Sequence, residues 1–308
     1  MKKLIILSLA LLTFGCKKKH ETPLNDTIIT TPSTPSAPQS PGILSPVMIK
    51  NPLLLEETGT WCGWCPSGGT VTMKQMLLKY PSVVGIAIHI NDALSASYPL
   101  SDTLDKIFIN TLGGVPNFNV DDQESNIPDN IDTLIKYEQS KTPVASVGHH
   151  WIKNNTSYTI QARLKFGAAA SGNFYINTYA LQDGIAAAGA SLFQHDYANI
   201  LTQVASPGPA DTTKWVANEA GYTTSQGTTD YWFKPGNIYY HDHIITSSAD
   251  GTNLPWGQNI NQTSFNANDS LDFNFTITSN SSWTKSIEII TILWQKNGNT
   301  YSYVNGYH

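Results

Sequence analysis

Between Pro52 and Lys141 the apolar residues form two alternating patterns, short unbroken runs and one-sided helical spacing, and from Thr142 the period drops to 2. The run Leu53-Leu54-Leu55 is followed by Met73, Met76, Leu77 and Tyr80 at i, i+3, i+4 and i+7, which is one face of a helix. Val83 to Ile90 lacks polar alternation, as expected of a strand covered on both faces. A second helix is expected to start at a Ser101 cap and to bury Leu104, Ile107, Phe108 and Leu112. Val115-Pro116-Asn117-Phe118-Asn119-Val120 opens another strand, and Ile131, Leu134 and Ile135 mark a last helix entered at Pro128-Asp129. This β-α-β-α-β-α order predicts an α/β domain over 47–141.

Downstream, Tyr158, Ile160, Ala162, Leu164 and Phe166 alternate with Thr159, Gln161, Arg163 and Lys165. Leu271, Phe273, Phe275 and Ile277 alternate in the same way with Asp272, Asn274 and Thr276. Further strands are expected over 174–181, 238–245, 287–294 and 301–304. Half-buried strands separated by Gly, Asn and Ser turns predict a β-sandwich over 142–308, immunoglobulin-like or jelly-roll-like.

The amino end reads differently. Met1-Lys2-Lys3, the apolar run Leu4 to Phe14 and Gly15-Cys16 have the layout of a secretory signal over 1–15. The run is too short to span a bilayer. A cysteine directly after a small residue at the end of such a run resembles a bacterial lipobox, which implies cleavage before Cys16 and lipid attached to it; Thr13 stands where leucine is usual. Residues 16–46, with Thr30-Thr31-Pro32-Ser33-Thr34-Pro35-Ser36-Ala37-Pro38, hold too little apolar surface to offset their ordering entropy and read as a tether. The expected address is the cell envelope, lipid-anchored at the outer membrane, with the face left open.

With 308 residues the chain can bury a core without cross-links. Its net charge is -5 and its one arginine is Arg163. Phosphate backbones are gripped by clustered Lys and Arg, so nucleic acid is excluded as a partner.

Chemistry concentrates in Thr58-Gly59-Thr60-Trp61-Cys62-Gly63-Trp64-Cys65-Pro66. With Cys16 acylated, Cys62 and Cys65 are the remaining thiols of the three cysteines. A sulfur at a helix amino terminus is stabilised as the attacking thiolate by unpaired N–H groups, which makes Cys62 the nucleophile. Cys65, one turn on, is placed to resolve the mixed disulfide. Two other readings of the pair stand beside this one. A structural bridge closing so short a loop stabilises little. Half of a zinc site would need further Cys or well-spaced His nearby, and none is legible.

The Trp61-Cys62-Gly63-Trp64-Cys65 motif after an apolar strand resembles the thioredoxin superfamily active site. That resemblance implies a buried acid six residues before the first cysteine as proton relay, here Glu56, with the neighbouring Glu57 left to solvent. It implies a cis-proline against the dithiol, here Pro116, exposing the Val115 backbone to a substrate strand, with Trp61, Gly63 and Trp64 shaping the approach. The whole chain resembles the lipoproteins related to the twenty-eight-kilodalton outer membrane protein, whose β-rich carboxyl domain often holds a His-x-His strand, here His241 and His243. No partner strand is legible after Phe118-Asn119-Val120, so a shortened sheet is expected.

The function expected is an envelope thiol–disulfide oxidoreductase acting on protein thiols and disulfides without a small-molecule cofactor. The rival is a non-enzymatic binding lipoprotein that uses its β-rich part. His241 and His243 share a strand face at metal-compatible spacing, but satisfied sheet histidines are the commoner case and no metal is expected. Trp151, Trp215, Trp232, Trp256 and Trp283 are read as core and rim packing ahead of a glycan platform.

Overall fold

A computed structural model describes residues 44–96, 100–108, 113–186, 220–223, 229–233, 240–249, 255–281, 283 and 286–308. The signal region, Cys16 and nearly all of the tether lie outside these residues, as do Leu112 and Trp215. The described part belongs to one compact unit, Pro35–His308. No helix among the described residues is long and apolar enough to cross a membrane.

The apolar run at Leu53 becomes strand β1 (Leu53–Thr58), and that at Val83 becomes β2 (Val84–His89), both buried along their whole length. Helix α1 (Val71–Lys79) buries Met73 and Met76 and stops at Tyr80, before Pro81, whose ring disfavours helix in the residue preceding it. Helix α2 (Leu100–Phe108) follows β2. Ser101 lies inside α2 instead of capping it, and its hydroxyl accepts a bond from the Ala96 amide at 3.0 Å. Strand β3 (Asn117–Val120) does have a partner, β4 (Gln123–Ser125), reached through a turn in which Asp121 adopts φ 54°. The expected shortening is therefore overturned: Gln123-Glu124-Ser125 has no apolar pattern because it is an edge strand paired through its backbone and an Asn117–Glu124 side-chain bond. Helix α3 (Pro128–Gln139) starts with proline in its first turn, where no amide is missed, and buries Ile131 and Ile135.

After Thr142 come β5 (Ala145–Asn154), β6 (Ser157–Phe166), β7 (Asn173–Gln182), β8 (Ile244–Ser248), β9 (Ser270–Thr278), β10 (Ile287–Asn297) and β11 (Thr300–Tyr307). The strand expected over 238–245 is interrupted: Tyr240–His241 pairs with Ile185–Ala186, His243 takes φ 58°, and β8 starts only at Ile244. His241 and His243 therefore do not share a strand face.

The largest sheet runs in the order β11-β10-β7-β8-β2-β1-β3-β4, with Gln258–Asn259 added to β7. Strands from either side of residue 141 share this sheet, because β8 pairs in parallel with β2 at Ile244 and Ala87. One face of the sheet carries a continuous apolar layer from Leu53, Leu55, Ile86 and Ile88 to Ile290, Ile292 and Trp294, with Leu100 and Leu104 of α2 packed on it. The other face is divided. At the β1–β3 end α1 and α3 cover Leu54, Phe118 and Val120. At the β7–β10 end the three-stranded sheet β9-β6-β5 lies against Phe174, Ile176, Ile289 and Leu293, using the alternating apolar positions of β6 and β9.

The described tryptophan side chains pack as core and rim. Trp256 stacks on Tyr301 at 4.0 Å and meets Trp294 edge-on, while Trp151 and Trp283 lean on the layer between the two sheets. His149 is buried and accepts or donates a 3.0 Å bond with the Thr291 hydroxyl; burial pushes its imidazole down to about 3, so it stays neutral.

Candidate functional site

The dithiol motif lies where β1 ends, on a loop secured by the end of β2. The Asp92 carboxylate accepts the Thr60 amide (2.8 Å), the Leu94 amide (2.8 Å) and the His89 ring (2.7 Å). Burial raises the Asp92 pKa, but His89 and these amides outweigh it and hold the group at about 2. The Trp61 indole donates to the Ile90 carbonyl at 2.9 Å and closes the same loop from outside. Nothing in the sequence reading pointed to His89 and Asp92; the only signal was a polar Asn91-Asp92 pair directly after a buried strand.

Cys62 and Cys65 are joined, with the Cα atoms 5.5 Å apart. The Cys65 amide, at the start of the wide helical turn Cys65–Thr70 that leads into α1, donates to Cys62 Sγ at 3.1 Å. A backbone N–H aimed at that sulfur stabilises negative charge on it. Cys65 is fully buried, and Cys62 is 4% exposed. Around them Trp61 and Trp64 are 43% and 60% exposed, two large apolar side chains beside the buried sulfurs.

The Val115-Pro116 peptide is cis, and the Val115 carbonyl oxygen lies 3.6 Å from Cys62 Sγ. Gly113 and Gly114, exposed at φ 66° and 94°, lead the chain into it through conformations that side chains resist. On the inner side, a Cβ on Gly68 or Gly69 would come within 3.0 and 3.1 Å of Pro116 side-chain atoms. These glycines let the helical turn close against the proline.

Glu56 sits on the β1 face that points to this turn. It is 3% exposed, and a Cβ on Gly69 would strike its Oε1, which has no hydrogen-bond partner. Burial pushes its carboxyl up to about 8, only partly opposed by a bond from Thr58 and by the charges of His243 and Lys74. Beside it a small cleft lined by Thr58, Thr70, Lys74, His89 and His241 has about 20 Å³ of room, enough for one water. Glu57 departs from expectation. It is 8% exposed on the opposite face, where burial and then a hydrogen bond with Asp105 of α2 also push it to about 8. Strand alternation sends the two neighbours to opposite faces, but the second face is covered by α2 and not by solvent.

The His-x-His pair separates: the His241 ring meets His89 edge-on at 5.2 Å, whereas His243 lies against Asp183 and Glu288. Gly63 is buried within the motif, and Val115 and Pro116 are half-buried at its margin.

No protein family and no curated protein matches this chain. Among solved structures, a structural-genomics target protein from Agrobacterium tumefaciens is similar over 83% of this chain and 92% of its own, at 11% identity and a TM-score of 0.42. HBP35 of Porphyromonas gingivalis is similar over 85% of this chain and 76% of its own, at 18% identity and a TM-score of 0.58. At that identity the likeness to HBP35 is one of fold, a β-rich architecture with few helices.

Proposed function

We propose that this chain is an envelope thiol–disulfide oxidoreductase in which a thioredoxin-like part (47–141) carries the chemistry and a β-sandwich part (142–308) is fused to its sheet. The observation that carries the reading is the contact of Cys62 Sγ with the Val115 carbonyl, at the rim formed by Trp61 and Trp64. A sulfur there can receive a substrate strand laid along Val115 and attack its disulfide. In the reduced protein, Cys62 thiolate attacks one substrate sulfur, forming a mixed disulfide and expelling the other substrate sulfur as a thiolate that takes up a proton. Cys65 loses its proton and attacks Cys62, forming the intramolecular bond and releasing the second substrate sulfur as thiol. Two electrons pass from the Cys62–Cys65 pair to the substrate; the reverse sequence oxidises a substrate dithiol. Glu56 relays the Cys65 proton through water in the adjoining cleft, a task suited to a carboxyl held near 8. The chain resembles in this respect the lipoproteins related to the twenty-eight-kilodalton outer membrane protein.

The test is twofold. Protein lacking residues 1 to 16 is expected to reduce a model protein disulfide when supplied with dithiothreitol, and Cys62→Ser to abolish that turnover. Cys65→Ala is expected to accumulate mixed disulfides through Cys62 in envelope extracts. Absent turnover together with absent trapped partners would leave the β-rich part as a binding module and remove the redox role.

The membrane address is a proposal of the same standing. Cys16→Ala is expected to abolish incorporation of labelled palmitate and to move the protein from the membrane to the soluble fraction. Retention in the membrane with no label lost would dismiss the lipid anchor.

A further inference from the structure

Three neighbouring strand ends bring Asp183, His243 and Glu288 together. Gln182, the last residue of β7, pairs with Ile244 of β8 on one side and Ile287 of β10 on the other, so the residues adjoining those pairs meet at one end of the sheet. We propose that Asp183, His243 and Glu288 form a binding site for a zinc-like divalent cation, with one imidazole nitrogen, two carboxylate oxygens and a coordination position left for water. The site uses none of the dithiol residues, although His243 also lines the cleft beside Glu56, and it does not depend on the redox reading.

The distances suit ligands around an ion and are long for charge-assisted hydrogen bonds. His243 Nδ1 is 3.5 Å from Asp183 Oδ1 and 3.5 Å from Glu288 Oε2, and one candidate ligand atom from each of the three residues lies within 4.8 Å of the others. An imidazolium beside two carboxylates closes to roughly 2.8 Å. A tetrahedron of nitrogen and oxygen ligands about 2.1 Å from zinc instead has edges of ~3.4 Å. His243 Nδ1 is sealed from solvent and has no partner at normal hydrogen-bond geometry, which is the same gap seen from the nitrogen side.

The ligands are also held in place by outer contacts, as metal ligands are. The His243 amide donates to Asp183 Oδ1 at 2.7 Å, and the His243 carbonyl accepts the Ala87 amide of β2 at 2.8 Å. His308 donates from Nε2 to the Pro81 carbonyl at 3.0 Å and meets Glu288 Oε1 through Nδ1 at 3.2 Å, which leaves Oε2 turned to His243. One imidazole and two carboxylates suit a borderline divalent ion such as zinc better than a thiophilic one. The competing occupant is a proton. Burial lowers the affinity of His243 for it, but Glu288 and Asp183 more than restore it.

Titration separates the two occupants. Metal-stripped full-length protein in detergent, with the Cys62–Cys65 bond intact, is expected to bind one equivalent of zinc by calorimetry at pH 7.5 and to melt at higher temperature with zinc present. Cobalt in its place is expected to give visible ligand-field absorption that zinc displaces. His243→Asn and Glu288→Gln are each expected to weaken zinc at least ~10-fold, while Lys136→Ala, on the exposed face of α3, leaves it unchanged. If either ligand variant fails to fold, the wild-type cobalt spectrum and melting shift decide. The proposal is overturned by wild-type protein that binds no zinc, by binding that both ligand variants retain, or by binding seen only after the dithiol is reduced.

Discussion

Lys50→Met is expected to destabilise the protein by about 3–5 kcal/mol, the cost of leaving a buried charge without its partner. Lys50 and Asp121 form an ion pair of 2.7 Å with side chains only 6% and 4% exposed. The ammonium also donates to the Val304 carbonyl at 2.7 Å and lies 4.3 Å from the centre of the Tyr303 ring. Asp121 accepts the Leu53 amide at 2.9 Å and returns its own amide to the Leu53 carbonyl, so this one pair ties the segment before β1 to the β3–β4 turn and to β11. Burial already pushes the Asp121 carboxyl to about 7 against the pull of Lys50. Without the lysine it is neutral over more of the pH range, which softens the loss without removing it.

Asp121→Asn preserves an acceptor for Leu53 and removes the charge. The double variant Lys50→Met with Asp121→Asn should therefore recover a large part of what the single lysine change loses. Urea unfolding of the four proteins in the cycle gives the coupling directly. A single-variant loss under about 1 kcal/mol, or a double variant no better than Lys50→Met, would show the pair to be structurally idle.

The second large effect is in the pH dependence of stability. The carboxyl of Glu56 is near 8 in the folded chain against an ordinary 4.5, so the folded state holds a proton that the unfolded state releases over that window. A raised pKa means that its stabilising contribution is complete below about 4.5 and is lost as the pH rises through about 8. Glu56→Gln does not titrate. The variant and the wild type should be similar at pH 4 and diverge above it, with the variant ahead at pH 8 by on the order of 3–5 kcal/mol. Glu57 and Asp121 titrate in overlapping windows in both proteins, so the difference between the two curves isolates Glu56. Parallel curves from pH 4 to 8 would show that Glu56 carries no buried proton. In the redox reading the same variant is expected to slow release of the mixed disulfide and leave its formation nearly unchanged, because the relay serves Cys65 and not Cys62.

Much of this was visible in the residues. Strand and helix periods placed β1, β2, α1, α3, β6, β7, β9 and β10, because each has a face that is covered locally and regularly. The spacing of Cys62 and Cys65 and the run Gly113-Gly114-Val115-Pro116 pointed to two segments that the fold sets 3.6 Å apart at Cys62 Sγ and the Val115 oxygen. Periodicity failed where the backbone alone decides. β4 has no apolar signature because an edge strand needs only amides and carbonyls, and the strand expected through 238–245 breaks because His243 takes a left-handed conformation.

By itself, the sequence determined where most of the periodic strands and helices run and where the sulfurs lie. Tertiary structure alone decided that strands on either side of residue 141 share one sheet, that α2 buries Glu57, that Lys50 meets Asp121, and that Asp183, His243 and Glu288 converge. The physical reason is common to all four. A hydrophobic period reports that a face is covered but not by what, and a charged residue shows its partner only when chain segments far apart in sequence are packed side by side.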